Sequence, residues 1–171
     1  MINNYKYINH KMDSGTIRKL KSKDGQIFEV EEKCLELSKL LKGLANDFPE
    51  PTDELPINEV EGKVLTKIIE YLKQYQTEKP KDIPKPLPNS DLKPILSKFD
   101  YDYIMPLSLE ECIDLVNAAN YLDIPELVNL TCARLASEMI NCPIEEAREK
   151  FGIKCDMTEE EIKEMDKYPL D

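Results

Sequence analysis

Ala118-Ala119-Asn120-Tyr121-Leu122-Asp123-Ile124-Pro125-Glu126-Leu127-Val128-Asn129-Leu130-Thr131-Cys132 reads as the end of one helix and the start of the next. Upstream, Ser108-Leu109-Glu110-Glu111 is a capping box that opens the first helix. Leu109, Cys112, Ile113, Val116 and Ala119 form one apolar stripe on it, and Leu115, Ala118 and Leu122 a second. A helix apolar on two sides is buried between layers. Asp123-Ile124 breaks it, and Pro125 suits a first helical turn because its missing N–H would be unpaired there anyway. The second helix is expected to run to about Ile140, with Val128, Leu135, Met139 and Ile140 on its apolar side.

Toward the N-terminus, Ile17–Lys21 and Gln26–Val30 are strand-like runs joined by Ser22-Lys23-Asp24-Gly25. Asp-Gly is a hairpin turn signal, since both residues tolerate positive φ. Phe28 and Val30 share a face, while Ile17 and Leu20 are out of phase, which suggests a bulge or a late start. Glu32–Leu44 reads as one helix through Leu37, Leu40, Leu41 and Leu44. Leu55-Pro56-Ile57 fits a short edge strand, because proline lacks the ladder N–H. Asn58 and Glu61 fit a helix cap, followed by the stripe Val64, Leu65, Ile68, Ile69 and Leu72.

Residues 76–98 differ in character. Pro80, Pro84, Pro86, Pro88 and Pro94 forbid helix and central strand, so an extended, mobile linker is expected. Beyond the long helices, Cys142-Pro143 is a break, Glu145–Lys150 a short helix and Gly152 a left-handed cap. Thr158-Glu159-Glu160-Glu161 is a further capping box. The order of elements gives an α+β chain: a tail (1–15), a first domain part (16–75), the linker (76–98), a second part (99–141) and a C-terminal extension (142–171).

The 171 residues suffice for one domain with a sizeable core plus an appendage. A net charge of −11 argues against a nucleic-acid partner and against anionic membrane surfaces, both of which require Lys and Arg. No apolar run approaches the roughly 18 residues of a membrane span. The N-terminus has no apolar signal core. Cys34, Cys112, Cys132, Cys142 and Cys155 show no CxxC spacing and read as buried free thiols in a reducing compartment. His10 is the only histidine and sits in the tail, so no catalytic pair, metal site or cofactor is expected.

Several words in order resemble the Skp family, the adaptors that hold F-box proteins on cullin ubiquitin ligases. They are Ser22–Val30, Leu55–Asn58 with Val64–Tyr71, Leu115–Thr131, and Glu145–Lys154 with Asp156–Glu161. The resemblance spans roughly residues 17–168 and implies a BTB/POZ fold with a C-terminal helical extension. It implies an adaptor and not an enzyme, working in cytoplasm and nucleus, with F-box proteins and a cullin as partners and a weak homodimer when no F-box is bound. By match to the family, Asn120 and Tyr121 face the cullin. By the same match Leu127, Val128, Leu135, Phe151, Ile153 and Ile162 face the F-box, although helical periodicity leaves Leu127 and Val128 equally open to a core role. The continuation past Ile140 favours F-box partners over those of the elongin C branch of the fold.

The chain departs from the family in three places. It has no Trp, and Phe99 stands where a family Trp usually closes the linker. The last helix is expected to end early, at Lys167-Tyr168-Pro169. Ile144 occupies the position where some relatives carry a modified proline, so that modification is not carried over to Pro143. Two rival readings remain open at this level: a self-associating BTB scaffold or a member of a cullin-independent F-box complex, and a thiol enzyme using Cys132 or Cys155.

Overall fold

Gly25, at φ +82°, closes the hairpin of β1 (Ile17–Ser22) and β2 (Ile27–Glu31). The computed structural model describes residues 15–140, 142–158, 160, 161 and 164. Of the expected tail over residues 1–15, all but Gly15 lies outside them, His10 included. The antiparallel register runs without interruption from Ile17↔Glu31 to Lys21↔Ile27, so the expected bulge is absent. The phase conflict resolves because Arg18, not Ile17, points inward with Leu20 and Ser22.

Arg18 is 1% exposed, and a buried guanidinium needs partners. It donates to the carbonyls of Phe48 and Pro49 and lies 3.5 Å from the Glu32 carboxylate. Its Nε is left without a partner. The charge thereby fixes the loop that leads to β3 (Glu54–Ile57). β3 pairs parallel to β1, giving the order β2-β1-β3, and Pro56 sits on an edge strand as expected.

The single helix expected over Glu32–Leu44 is two elements, a 3₁₀ turn (Glu32–Leu37) and α1 (Lys39–Asp47). Ser38 separates them. Its backbone is extended (φ −113°, ψ 122°) and its hydroxyl accepts from Leu41 N–H, so it is the N-cap of α1. The same hydroxyl donates to the carbonyl of Leu122, 84 residues away.

α2 (Gly62–Gln74) also begins later than the Asn58–Glu61 cap implied. Its N-cap residue Glu61 makes no side-chain cap bond. The Gly62 N–H instead donates to Asp24 in the hairpin turn, at 2.9 Å. Asp24 also accepts from Ser22 Oγ and from Gln26 Nε2. These bonds, the Ser22 hydroxyl foremost, hold its carboxyl below the usual range.

Residues 76–98 form no helix or strand until α3 (Lys98–Ile104) begins. The segment nevertheless packs on the body: Leu92, Ile95 and Leu96 are buried, and Ile83 and Leu87 lie against the core. Burying each of Leu92, Ile95 and Leu96 contributes about 1.5–3 kcal/mol toward ordering the segment. Prolines set the extended course expected here, and these apolar residues anchor it. Phe99 stacks on Tyr103 and meets Tyr75 edge-on, so an aromatic ring closes the linker without Trp.

α4 (Leu109–Tyr121) opens with the complete Ser108–Glu111 capping box. α5 (Pro125–Met139) and α6 (Ile144–Phe151) follow, and Gly152 at φ +63° caps α6. At Thr158, the Glu161 carboxylate accepts from the backbone N–H at 2.8 Å and from the hydroxyl at 2.9 Å. The core joins Leu20, Val30 and Leu55 of the sheet to Leu65 and Ile68 of α2, Leu115 and Ala119 of α4, and Leu127 and Leu130 of α5. Of the expected stripes on α4, Ile113 turns outward at 37% exposed. Only Cys34 and Cys112 are buried; Cys142 is half-buried, while Cys132 and Cys155 are exposed, against the expectation of buried thiols. On α5 the residues flanking Cys132, Thr131 and Ala133, are the inward ones.

Two predictions follow from these joints. Ser38→Ala leaves both Leu41 N–H and the Leu122 carbonyl unpaired in a buried place, so urea unfolding should show a loss of about 2–3 kcal/mol; a loss under about 0.5 kcal/mol would contradict the bridging role. Lys63 lies 2.9 Å from Glu111 and ties the start of α2 to the start of α4. Lys63, then the Ser108 N–H and hydroxyl, bring the Glu111 carboxyl from 4.5 to about 2. A lowered folded-state value stabilises above the unfolded value and is lost as pH falls. The urea midpoint should therefore fall between pH 4.5 and about 2, and fall less steeply in Glu111→Gln. Equal slopes for the two proteins would show that Glu111 contributes nothing to acid sensitivity.

Candidate functional site: docking surfaces

Asn120 and Tyr121 end α4 at a sharp corner. Asp123 adopts φ +51°, a left-handed turn that Asp tolerates better than most residues. The Asp123 N–H donates to Asn120 O at 3.1 Å, and the Ile124 N–H to Ala119 O at 2.9 Å. Lys39 of α1 braces the turn through its N–H on Asp123 O (3.3 Å) and its ammonium 3.3 Å from the Asp123 carboxylate. Asn120 is thereby exposed and Tyr121 half-buried. A ring with one exposed edge offers apolar area and one hydroxyl, a frequent interface anchor.

Tyr121 lines a hollow of about 450 Å³ between α4 and the loop before α2, with Val60, Val64 and Ala118 as its apolar wall. Glu59, Glu61 and Asp114 outnumber Lys23 on its rim. A second hollow of about 250 Å³ adjoins it through Val64 and Asp114, floored by Leu107 and Leu115. The Lys63–Glu111 pair bounds this second space.

α5 presents two faces. Leu127, Leu130, Thr131, Ala133 and Arg134 turn inward. Val128, Cys132, Leu135 and Met139 recur at helical spacing on the other face, where Val128 and Leu135 are half-buried and Cys132 and Met139 exposed. Of the residues read from sequence as the apolar side of this helix, Val128 and Leu135 are half-buried and pack against the core at its border, and Met139 is exposed. Leu127 is 0% exposed and belongs to the core, which removes it from the docking candidates; its neighbour Val128 keeps part of its surface open.

The stripe continues beyond α5. Ile144 is 53% exposed, Phe151 half-buried and Ile153 57% exposed. Ile162 lies outside the described residues. α6 is tied to α5 by charge: Glu138 accepts from buried Arg134, with Lys150 at 3.6 Å from Glu138 and 3.0 Å from Glu146. The Arg134 guanidinium, ahead of Lys150, lowers the Glu138 carboxyl. Met139, Ile144 and Cys132 were not among the residues expected at the docking surface. Helical spacing already groups Met139 with Val128 and Leu135. Among the described residues no group of three or more metal-ligating side chains gathers, and no helix is long and apolar enough to cross a membrane.

Comparison with known proteins matches this architecture from both ends. The model for the Skp1 family tetramerisation domain matches residues 17–77, and that for the Skp1 family dimerisation domain matches residues 125–168. The chain is 36% identical over 161 residues to the S-phase kinase-associated protein 1 homolog of Tetrahymena thermophila, covering 92% of this chain and 96% of that protein. It is 37% identical over 142 residues to SKP1-like protein 12 of Arabidopsis thaliana, covering 83% and 87% of the two chains. It is 30% identical over 156 residues to the SCF ubiquitin ligase complex protein SKP1a of Dictyostelium discoideum, covering 87% and 91%. With a hairpin, a parallel third strand and a helical extension all present, and relatives matched over nearly their whole length, the chain belongs to the Skp1 family.

Proposed function

We propose that this chain is the adaptor subunit of an SCF-type cullin ubiquitin ligase, bridging a cullin and F-box substrate receptors. The observation that carries the reading is the pair of outward surfaces joined at one corner. The Asn120–Tyr121 end of α4, with its hollow, adjoins the apolar stripe of α5 and α6 through the Asp123 turn. The name of the Dictyostelium relative, an SCF ubiquitin ligase complex protein, supports the same role.

In this reading the cullin takes Asn120 and Tyr121, and the F-box takes Val128, Leu135, Phe151 and Ile153, joined by Met139 and Ile144. Ile162 is retained by family resemblance alone. The chain performs no bond chemistry. It raises the effective concentration of a tethered substrate beside a ubiquitin-loaded enzyme. Cytoplasm and nucleus are the compartments of this reading. With no F-box bound, the exposed stripe supports a weak homodimer, since apolar surface left in water favours covering.

The two surfaces should separate by mutation. Asn120→Lys with Tyr121→Lys should weaken binding to a cullin N-terminal domain by at least about 30-fold, the equivalent of roughly 2 kcal/mol, with F-box binding kept. Ile153→Asp should do the reverse. Titration calorimetry with each partner reads both effects. Unchanged cullin affinity in the double variant would sink the assignment of that surface.

A further inference from the structure

The Pro/Lys-rich segment has a fixed course that ends against α5. Lys81 donates to the carbonyl of Ile95 at 2.7 Å, which closes the segment into a loop. Ile83 and Leu87 pack on the core on either side of Lys85. Lys85 then reaches α5 and donates to Asn129 Oδ1 at 2.6 Å. A hollow of about 220 Å³ separates the segment from the start of α5, lined by Lys79, Lys81, Ile83, Glu126 and Asn129 among others.

Asn129 is half-buried on α5 and lies about 100° around the helix from Val128. Lys85 therefore reaches one border of the outward face of α5, the face that the adaptor reading gives to the F-box. Its ammonium has three donors, and one is used on a neutral amide. Among the described residues no carboxylate lies within 4.0 Å of it to form an ion pair. Pro84 and Pro86 flank it and narrow its backbone freedom, so little ordering is needed when a partner arrives. Elsewhere the helices that carry the stripe are rich in acid: Glu126, Glu138, Glu145, Glu146 and Glu149. A cation at one border of such a surface gives a partner's carboxylate a favourable place.

We infer that residues 79–87 form a side wall of the α5 docking surface, where Lys85, held by Asn129, receives a carboxylate of the F-box partner. The inference rests on the adaptor reading. It makes the segment a determinant of which F-box proteins bind, and of how they are oriented.

The test measures the affinity of a panel of recombinant F-box domains for the full chain at low and high salt. Lys85→Gln can still donate to Asn129 but lacks the charge. It should bind about 2–5-fold more weakly at low salt, with a flatter salt dependence. Lys85→Glu should bind about 10-fold more weakly, because like charges then meet. Lys93→Glu makes the same charge change at an exposed position outside residues 79–87 and should bind as the unaltered chain does. Equal affinities for Lys85→Gln, Lys85→Glu and the unaltered chain across the panel would overturn the inference and leave the adaptor reading standing. So would equal weakening by Lys85→Glu and Lys93→Glu, which would mark a diffuse charge effect. An unaltered chain that binds no F-box domain would overturn both.

Discussion

The hydroxyl of Ser38 fixes the corner at which α1 meets the end of α4. Ser38 is 0% exposed, caps α1 through Leu41 N–H and donates to the carbonyl of Leu122 where α4 ends. A buried hydroxyl with both capacities used stabilises modestly, but removing it strands two backbone groups, and that asymmetry gives the joint its weight. Lys39 adds its backbone and ammonium contacts to Asp123 in the same place. The corner so fixed sets where Tyr121 points and the direction in which α5 departs. Both proposed docking surfaces take their geometry from it.

α5 then does two jobs with one helix. Its inner face closes the core with Leu127, Leu130 and Ala133, and its outer face carries Val128, Cys132, Leu135 and Met139. Buried Arg134 lies between those demands: it donates one bond to Glu138, its Nε is left without a partner, and Glu138 in turn faces Lys150 of α6. The charged cluster links α6 to the end of α5. An apolar surface left open costs solubility unless a partner occupies it, which accords with an adaptor and with weak self-association in the partner's absence.

Features encoded by neighbouring residues were legible in the sequence. The Asp24-Gly25 turn, the Ser108–Glu111 box and the Gly152 cap each depend on residues within a few positions, and each is present. Features that depend on distant partners were not. Asp24 caps α2 from 38 residues away, so the helix begins at Gly62 and not at the local Asn58 signal. Ser38 splits an apparently continuous helix because its hydroxyl has work at Leu122. Arg18 turns inward because carbonyls at Phe48 and Pro49 receive it. The docking surface shows the same limit. Periodicity marked a stripe on α5 but not whether protein or solvent lies over it, so Leu127 and Val128 could be separated only by the fold. Asn120 and Tyr121 are singled out by the quoted family words alone, since no local pattern distinguishes them from a packed helix end.

The central claim is that one chain holds two different partners at once, on surfaces that meet at the Asp123 corner. The direct measurement mixes the full chain with a cullin N-terminal domain and an F-box domain and determines masses by size-exclusion chromatography with light scattering. The account predicts a single species containing one copy of each. Two binary complexes that displace one another would contradict it, because the surfaces would then overlap and the chain could not bridge.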